Sequence, residues 1–253
     1  MSIRLVLAAL ASISGSAALA ADIHVMTGGA PKEVLGVLTP QFEKQTGHKV
    51  HFTYIVIAAM QQKLAAGEKP DMVLMPVPAI DARVKDGILR GDARAALGTV
   101  RIALVVREGA AAPDIATLDN FKQAMLDAKS VVHSNPAATP SGAHLGKAWE
   151  QLGIADAMKP KLTFRNALDG GAESVRRGEA DIGLYPMSEV IAEKGVKVVG
   201  LIPQDVQLNT VYGAAVLTTN PAPDPAIVFV KFLADPANAH HWKHAGFEPA
   251  VER

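Results

Sequence analysis

From residue 22 onward the chain alternates short apolar runs with longer segments in which apolar positions recur every three or four residues. The short runs predict strands over 23–26, 50–55, 72–75, 100–106, 130–133, 162–164, 182–185, 196–201 and 212–217. Several are unbroken Val, Ile and Leu, the composition of strands covered on both faces, as in a parallel sheet. The longer segments predict helices. One runs from Asp114 to Ala128, with Ile115, Leu118, Phe121 and Met125 along one side. Asp224-Pro225 opens another, carrying Ile227, Val230 and Leu233, and Asp235-Pro236 caps a third that ends at Gly246. The segment 31–46 is in conflict with itself. Pro40 falls inside it, and Thr39-Pro40 reads as a fresh cap and first helical residue, so a kink or break is expected after about two turns.

Strand–helix alternation places the chain in the α/β class. Nine strands are many for one open sheet with short connections. The pattern predicts two α/β lobes, one from residues 21–101 with 212–253 and the other from 102–211. The runs 100–106 and 211–217 then cross between them. Two crossings between two lobes make a hinge with a ligand cleft. The alternative is one continuous doubly wound sheet.

The first twenty residues follow a different pattern. Arg4 precedes a short apolar run, Leu5 to Ile13, and Ala18-Leu19-Ala20 has the small-residue spacing of a cleavage site. This is the form of a secretory signal peptide over 1–20, and the run is too short to span a membrane. With no cysteine, a lipid anchor of the lipobox kind has no attachment point. The expectation is an exported periplasmic protein, with no membrane insertion of the mature chain and no need of disulfides.

Composition narrows the function classes. Of 253 residues, 49% are hydrophobic and 20% charged, enough for a core. Lys+Arg and Asp+Glu balance at 25 each, leaving no basic field for nucleic acid. A charged ligand must therefore be held by local geometry. The first strand runs into Thr27-Gly28-Gly29-Ala30-Pro31, at the mouth of a helix. Helix N-terminal N–H groups attract anions, and glycines let a ligand approach them. The same glycines would equally serve a plain tight turn. Ser141-Gly142 and Arg165-Asn166 stand at similar strand-end turns, as does Tyr185 before Pro186-Met187-Ser188, and α/β sheets bind ligands at such places. The turn Ile55-Val56-Ile57 offers only hydrocarbon, either simple burial or an apolar wall of a pocket. Arg165 is either a surface residue or a bidentate partner for an oxyanion.

No nucleophile elbow, phosphate loop or dinucleotide fingerprint occurs, and thiol catalysis has no cysteine. His240, His241 and His244 have helical spacing, read as solvated histidines at a helix C-terminus or as a metal pair. No acid–base pairing marks a catalytic centre. No catalytic residue, metal or cofactor is expected.

The ordered set of segments resembles the periplasmic molybdate-binding proteins of ABC importers, in the type II periplasmic binding protein superfamily. It is carried by 23-IHVMTGGAPKEVLGVLTPQFEKQTGHKV-50, 70-PDMVLMP-76, 135-NPAATPSGAHLGKAWEQLGI-154, 171-GAESVRRGEADIGLYPMSEV-190, 213-GAAVLTTN-220 and 229-FVKFLADPANAHHWKHAGFEP-249, nearly all of 22–249. The resemblance implies a non-enzymatic two-lobed protein that closes on a small anion and delivers it to an inner-membrane ABC permease. It implies an oxyanion held by hydroxyls and helix N–H groups. Here the first-turn serine of that pattern falls at Ala30, and a Gly-Ser-Ser-Gly second turn falls at Ile55, Val56, Ile57 and Ala58. Ser141-Gly142 stands near the second-lobe helix start, and 185-YPMS-188 covers the family's tyrosine region. Without two hydroxyls, a small hydrophilic oxyanion would leave oxygens unpaired. An organic anion such as a carboxylate is the expected ligand, its charge near Thr27–Ala30 and its body against Ile55–Ile57. A molybdate-like oxyanion, a sensory role and an exported enzyme on the same scaffold are the alternatives.

Overall fold

The computed structural model describes residues 20–250 and contains two five-stranded sheets. Most of the expected signal peptide, residues 1–19, lies outside the described residues. The first half of the chain supplies β1 (Asp22–Thr27), β2 (Lys49–Tyr54), β3 (Met72–Pro76), β4 (Leu89–Val100) and β5 (Ile102–Arg107). The second supplies β6 (Val131–His133), β7 (Leu162–Phe164), β8 (Ile182–Pro186), β9 (Val196–Leu201) and β10 (Thr210–Leu217). The first sheet has the order β2-β1-β3-β10-β4, and the second β7-β6-β8-β5-β9. The chain leaves the first sheet at Arg101, between β4 and β5, and returns between Leu201 and Thr210.

The sheets are mixed rather than parallel. β1 pairs in parallel with β2 and β3, and β6 with β7 and β8. The strands next to the crossings are the antiparallel ones: β10 against β3 and β4, β5 against β8 and β9. Unbroken apolar runs report burial on both faces, and these strands share that burial whatever their direction.

Helices cover both faces of each sheet. They are α1 (Lys32–Thr46), α2 (Ile57–Ala65), α3 (Val77–Lys85), α4 (Leu118–Asp127) and α5 (Pro140–Gln151). Then follow α6 (Ala155–Met158), α7 (Gly171–Arg176), α8 (Met187–Val190), α9 (Asp224–Leu233) and α10 (Ala239–His244). On one face of the first sheet, Leu35, Leu38 and Phe42 of α1 pack with Phe229 and Leu233 of α9. The Phe42 and Phe229 rings lie 4.6 Å apart. The opposite face is closed by Met60 and Leu64 of α2 and Ile80 of α3. In the second sheet Phe121, Met125 and Trp149 fill one side, and Ala172, Val175 and Tyr185 the other.

Further expectations change. The run 211–217 does not cross back: as β10 it lies wholly in the first sheet, and the return falls in the segment before it. Residues 32–46 form one helix through Pro40, with no break. Pro40 sits on the exposed face, so the hydrogen bond it removes belongs to a carbonyl that water can reach. The buried stripe Leu35, Leu38, Phe42 keeps the helix whole, and Gly47 ends it with a left-handed φ of 77°. The helix expected from Asp114 begins at Leu118, because Thr117 accepts a hydrogen bond from the Asn120 N–H and so caps it. Asp114 accepts from Ala116 N–H in the turn before. Finally, β4 was not anticipated. Its sequence LRGDARAALGTV lacks the β-branched run of a central strand. It is an edge strand, paired with β10 and bridged at Thr99 to Glu248, and half-buried Arg90 with exposed Asp92 and Arg94 suits an edge.

Candidate functional site

A cavity opens where the carboxyl ends of strands from the two sheets face each other. From the first sheet's side it is lined by Gly28 and Gly29 after β1, Val56 and Ile57 at the start of α2, Val100, Thr210 and Tyr212. From the second come Ser134 after β6, Thr139–Ser141 at the start of α5, Asn166–Leu168 after β7, Pro186 and Glu189.

Six of the twelve residues singled out in the sequence meet here: Gly28, Gly29, Val56, Ile57, Ser141 and Asn166. The other six stand behind the wall. Thr27 is fully buried, and its hydroxyl donates to the Gly28 carbonyl at 3.1 Å. Ala30 is buried in the core that also holds α1. Ile55 packs beside Met60 and Met75. Gly142 lies against the main chain of Ser134 and Asn135, too close for any side chain.

Arg165 and Tyr185 have structural partners instead of cleft positions. The Arg165 guanidinium pairs with Glu179 at 3.1 Å on the surface. The buried Tyr185 hydroxyl donates to the Arg165 carbonyl at 2.8 Å and fits against Gly171. Burial pushes the phenol's pKa far up, so it stays neutral. Tyr185→Phe leaves that carbonyl unpaired. It is expected to lower stability by about 1–2 kcal/mol in urea unfolding while leaving the cleft lining in place.

The donors in the cleft are main-chain N–H groups and the hydroxyls of Ser134, Thr139, Ser141, Thr210 and Tyr212. The N–H groups of Gly29, Ser141, Ala167 and Leu168 find no acceptor among the described residues. The α2 turn contributes less. Ala58 N–H, near its N-terminus, donates to the Ala138 carbonyl of the other side at 3.2 Å. That bond ties the two halves together across the cleft and removes a donor that a ligand could otherwise use. Beside it Val56 and Ile57 line the cavity with hydrocarbon side chains, while their own N–H groups find no acceptor among the described residues. Thr139 caps α5 by accepting from Gly142 N–H, with the Ser141 hydroxyl 3.3 Å from its own. The Asn166 side chain is consumed locally: its Oδ1 accepts from Asn135 N–H and its Nδ2 donates to Asp169.

Among the lining residues that the sequence did not single out, two stand out for their side chains. Tyr212 lies on β10, and its hydroxyl is close enough to Gly28 that a methyl group there would sit 3.3 Å from it. Burial pushes its pKa up as well. Glu189 is the one charged residue in the lining, which contains no Lys, Arg or His. Its Oε1 faces Gly29, where a methyl group would come within 2.9 Å of it. Among the described residues no donor reaches its carboxyl. Burial alone pushes that carboxyl up to about 7. The available signal was an acid one residue beyond the strand-end turn 185–188.

No group of three or more His, Cys, Asp or Glu among the described residues could hold a metal. No helix among them is long and apolar enough to cross a membrane.

A family model described as bacterial extracellular solute-binding protein matches residues 23–248. The chain is 32% identical to an aconitate isomerase of Pseudomonas sp over 90% of its length and 87% of that protein's. It is 27% identical to the molybdate-binding protein ModA of Escherichia coli strain K12, over 89% and 88% of the two chains. Among solved structures, the Azotobacter vinelandii periplasmic molybdate-binding protein superposes with a TM-score of 0.76 at 18% identity. That match covers 91% of this chain and 100% of the other. The two-lobed fold is that of the periplasmic binding proteins.

Proposed function

The chain belongs to the bacterial extracellular solute-binding proteins, and from that premise we propose that its cleft binds a small organic anion, a carboxylate, for import. In this reading the protein is exported to the periplasm through a cleaved signal peptide and presents its ligand to an inner-membrane ABC permease. Residues 21–101 with 212–253 act as one lobe and 102–211 as the other. A ligand touching both shifts the open–closed equilibrium by its preference for the closed form.

The observation that carries the reading is the α2 turn. The side chains of Val56 and Ile57 at the cavity are hydrocarbon with no hydroxyl, and the Ala58 N–H beside them is already bonded to Ala138. A tetrahedral oxyanion would leave oxygens against these carbons unpaired, which costs affinity. A carboxylate can place its oxygens on the free N–H groups of Gly29, Ser141, Ala167 and Leu168 and lay its carbon skeleton on Val56 and Ile57. Calorimetry with molybdate, tungstate and sulfate against di- and tricarboxylates tests this. Micromolar binding is expected for a carboxylate and none for the oxyanions. Micromolar molybdate binding would falsify it.

A second reading is favoured by Glu189 together with the aconitate isomerase relative. A carboxyl titrating near 7 is suited to general base work at neutral pH. Beside an unsaturated tricarboxylate, Glu189 as carboxylate would take a proton from the methylene carbon. The carbon–carbon double bond then shifts as the C–H electron pair enters the allylic system, and the acid returns the proton to the far carbon. No redox partner is needed. Incubation with cis-aconitate in D2O, followed by proton NMR, separates the readings. Catalytic appearance of the trans isomer supports the isomerase; an unchanged spectrum despite binding supports the transport role.

A further inference from the structure

We propose that Glu189 is a ligand contact that carries a proton: the cleft binds its anion with the Glu189 carboxyl neutral, its O–H donated to the ligand. Binding then draws a proton into the protein, and ligand release at higher pH is favoured. The inference rests on the anion reading above and adds the chemical state of the site.

The geometry leaves Glu189 nothing else to pair with. It stands on α8 at the cleft wall, its Oε1 against Gly29 and beside Leu168. No charged group of the surrounding elements pairs with it among the described residues. Arg101, at the β4–β5 crossing, pairs with Glu248, and Arg165 pairs with Glu179 at 3.1 Å. Lys32, at the start of α1, lies over the Tyr54 ring, 5.9 Å from its centroid. Glu33 on α1, Arg107 on β5 and Lys197 on β9 make no ion pair with Glu189 among the described residues. Tyr185 of β8 and Tyr212 of β10 are buried and neutral.

An ionised Glu189 in this half-buried wall would lack a counter-ion and much of its water, and it would repel an incoming anion. A neutral Glu189 has one donor to give. The bound anion, already held by N–H groups of Gly29, Ser141, Ala167 and Leu168, is the acceptor within reach. The carboxyl titrates near 7 without ligand, and a bound anion holds the proton more tightly. Proton uptake at pH 7 is then about half a proton per ligand, and affinity falls about tenfold between pH 6 and pH 8.

The test is titration calorimetry of the full mature protein with trans-aconitate and citrate as probes, at pH 6, 7 and 8, in buffers of differing ionisation enthalpy. The expected wild-type result is a buffer-dependent enthalpy reporting proton uptake and a tenfold loss of affinity across the range. Glu189→Gln keeps a donor but cannot titrate, and should bind with no such pH step beyond the probe's own. Equal pH dependence in wild type and E189Q overturns the proposal and leaves the anion reading standing. Proton release instead of uptake by the wild type overturns it without any variant. Failure of the wild type to bind any carboxylate at any pH overturns both.

Discussion

Glu189→Gln is expected to stabilise the ligand-free protein by about 2–3 kcal/mol at pH 8 and to change little at pH 4. In the folded protein burial holds this carboxyl near 7, against an ordinary value of 4.5. Between those two values the folded chain carries a proton that the unfolded chain has lost. Stability therefore falls as pH rises through this window, by roughly 1.4 kcal/mol for each unit of difference. Above pH 7 the full penalty is present, because folding partly desolvates a carboxylate that has no partner. Below pH 4.5 both states are protonated and the penalty vanishes. Glutamine has nearly the same shape and never ionises, so it removes the penalty where it exists and nothing where it does not. Urea unfolding of wild type and E189Q at pH 4, 6 and 8 measures the difference. Curves separated by the same amount at all three values would mean that Glu189 is hydrated or paired in the folded protein. A residue that weakens the fold at neutral pH yet sits in the cleft fits a site that has given up stability for ligand chemistry.

Much of this architecture can be read from the residues. Unbroken apolar runs mark most strands, and the passage from 100 to 106 marks the outward crossing, which the structure places at Arg101. Strand-end turns with glycine, serine or asparagine mark where a cleft forms, because short residues and free N–H groups collect there. What escapes has physical reasons. β4 carries alanine and arginine because an edge strand needs only one covered face and gains from charge. Pro40 looks like a helix break because sequence does not reveal that its missing bond faces water. Arg165 looks the same in a loop whether it reaches a ligand or Glu179, fourteen residues further on. Glu189 escapes because an acid in a helical first turn is ordinary; only the tertiary wall of Gly29 and Leu168 makes it unpaired.

Gly142→Ala is expected to cost about 3 kcal/mol or more and to weaken ligand binding together with stability. A methyl group at this position would lie 2.4 Å from the Ser134 carbonyl oxygen and 2.7 Å from the carbonyl carbon and oxygen of Asn135. All three are main-chain atoms, so no side-chain rotation relieves the contact. Nor is the opposing loop free to retreat. Asn135 N–H is bonded to the Asn166 side chain, and the Asn135 carbonyl accepts from both Ala138 and Thr139. The start of α5 must therefore move away from β6, carrying Ser141 and opening the turn at Ser134, both of which line the cleft. Gly146, one turn later on the same helix, provides the contrast. A methyl group there meets nothing within 4 Å. Gly146→Ala should instead stabilise by about 0.5–1 kcal/mol, the usual gain of alanine over glycine inside a helix. Equilibrium unfolding of the two variants, with carboxylate affinity measured on each, checks the pair. If G142A were as stable as wild type, the close approach of α5 to the β6 loop, and with it the shape of this cleft wall, would be wrong.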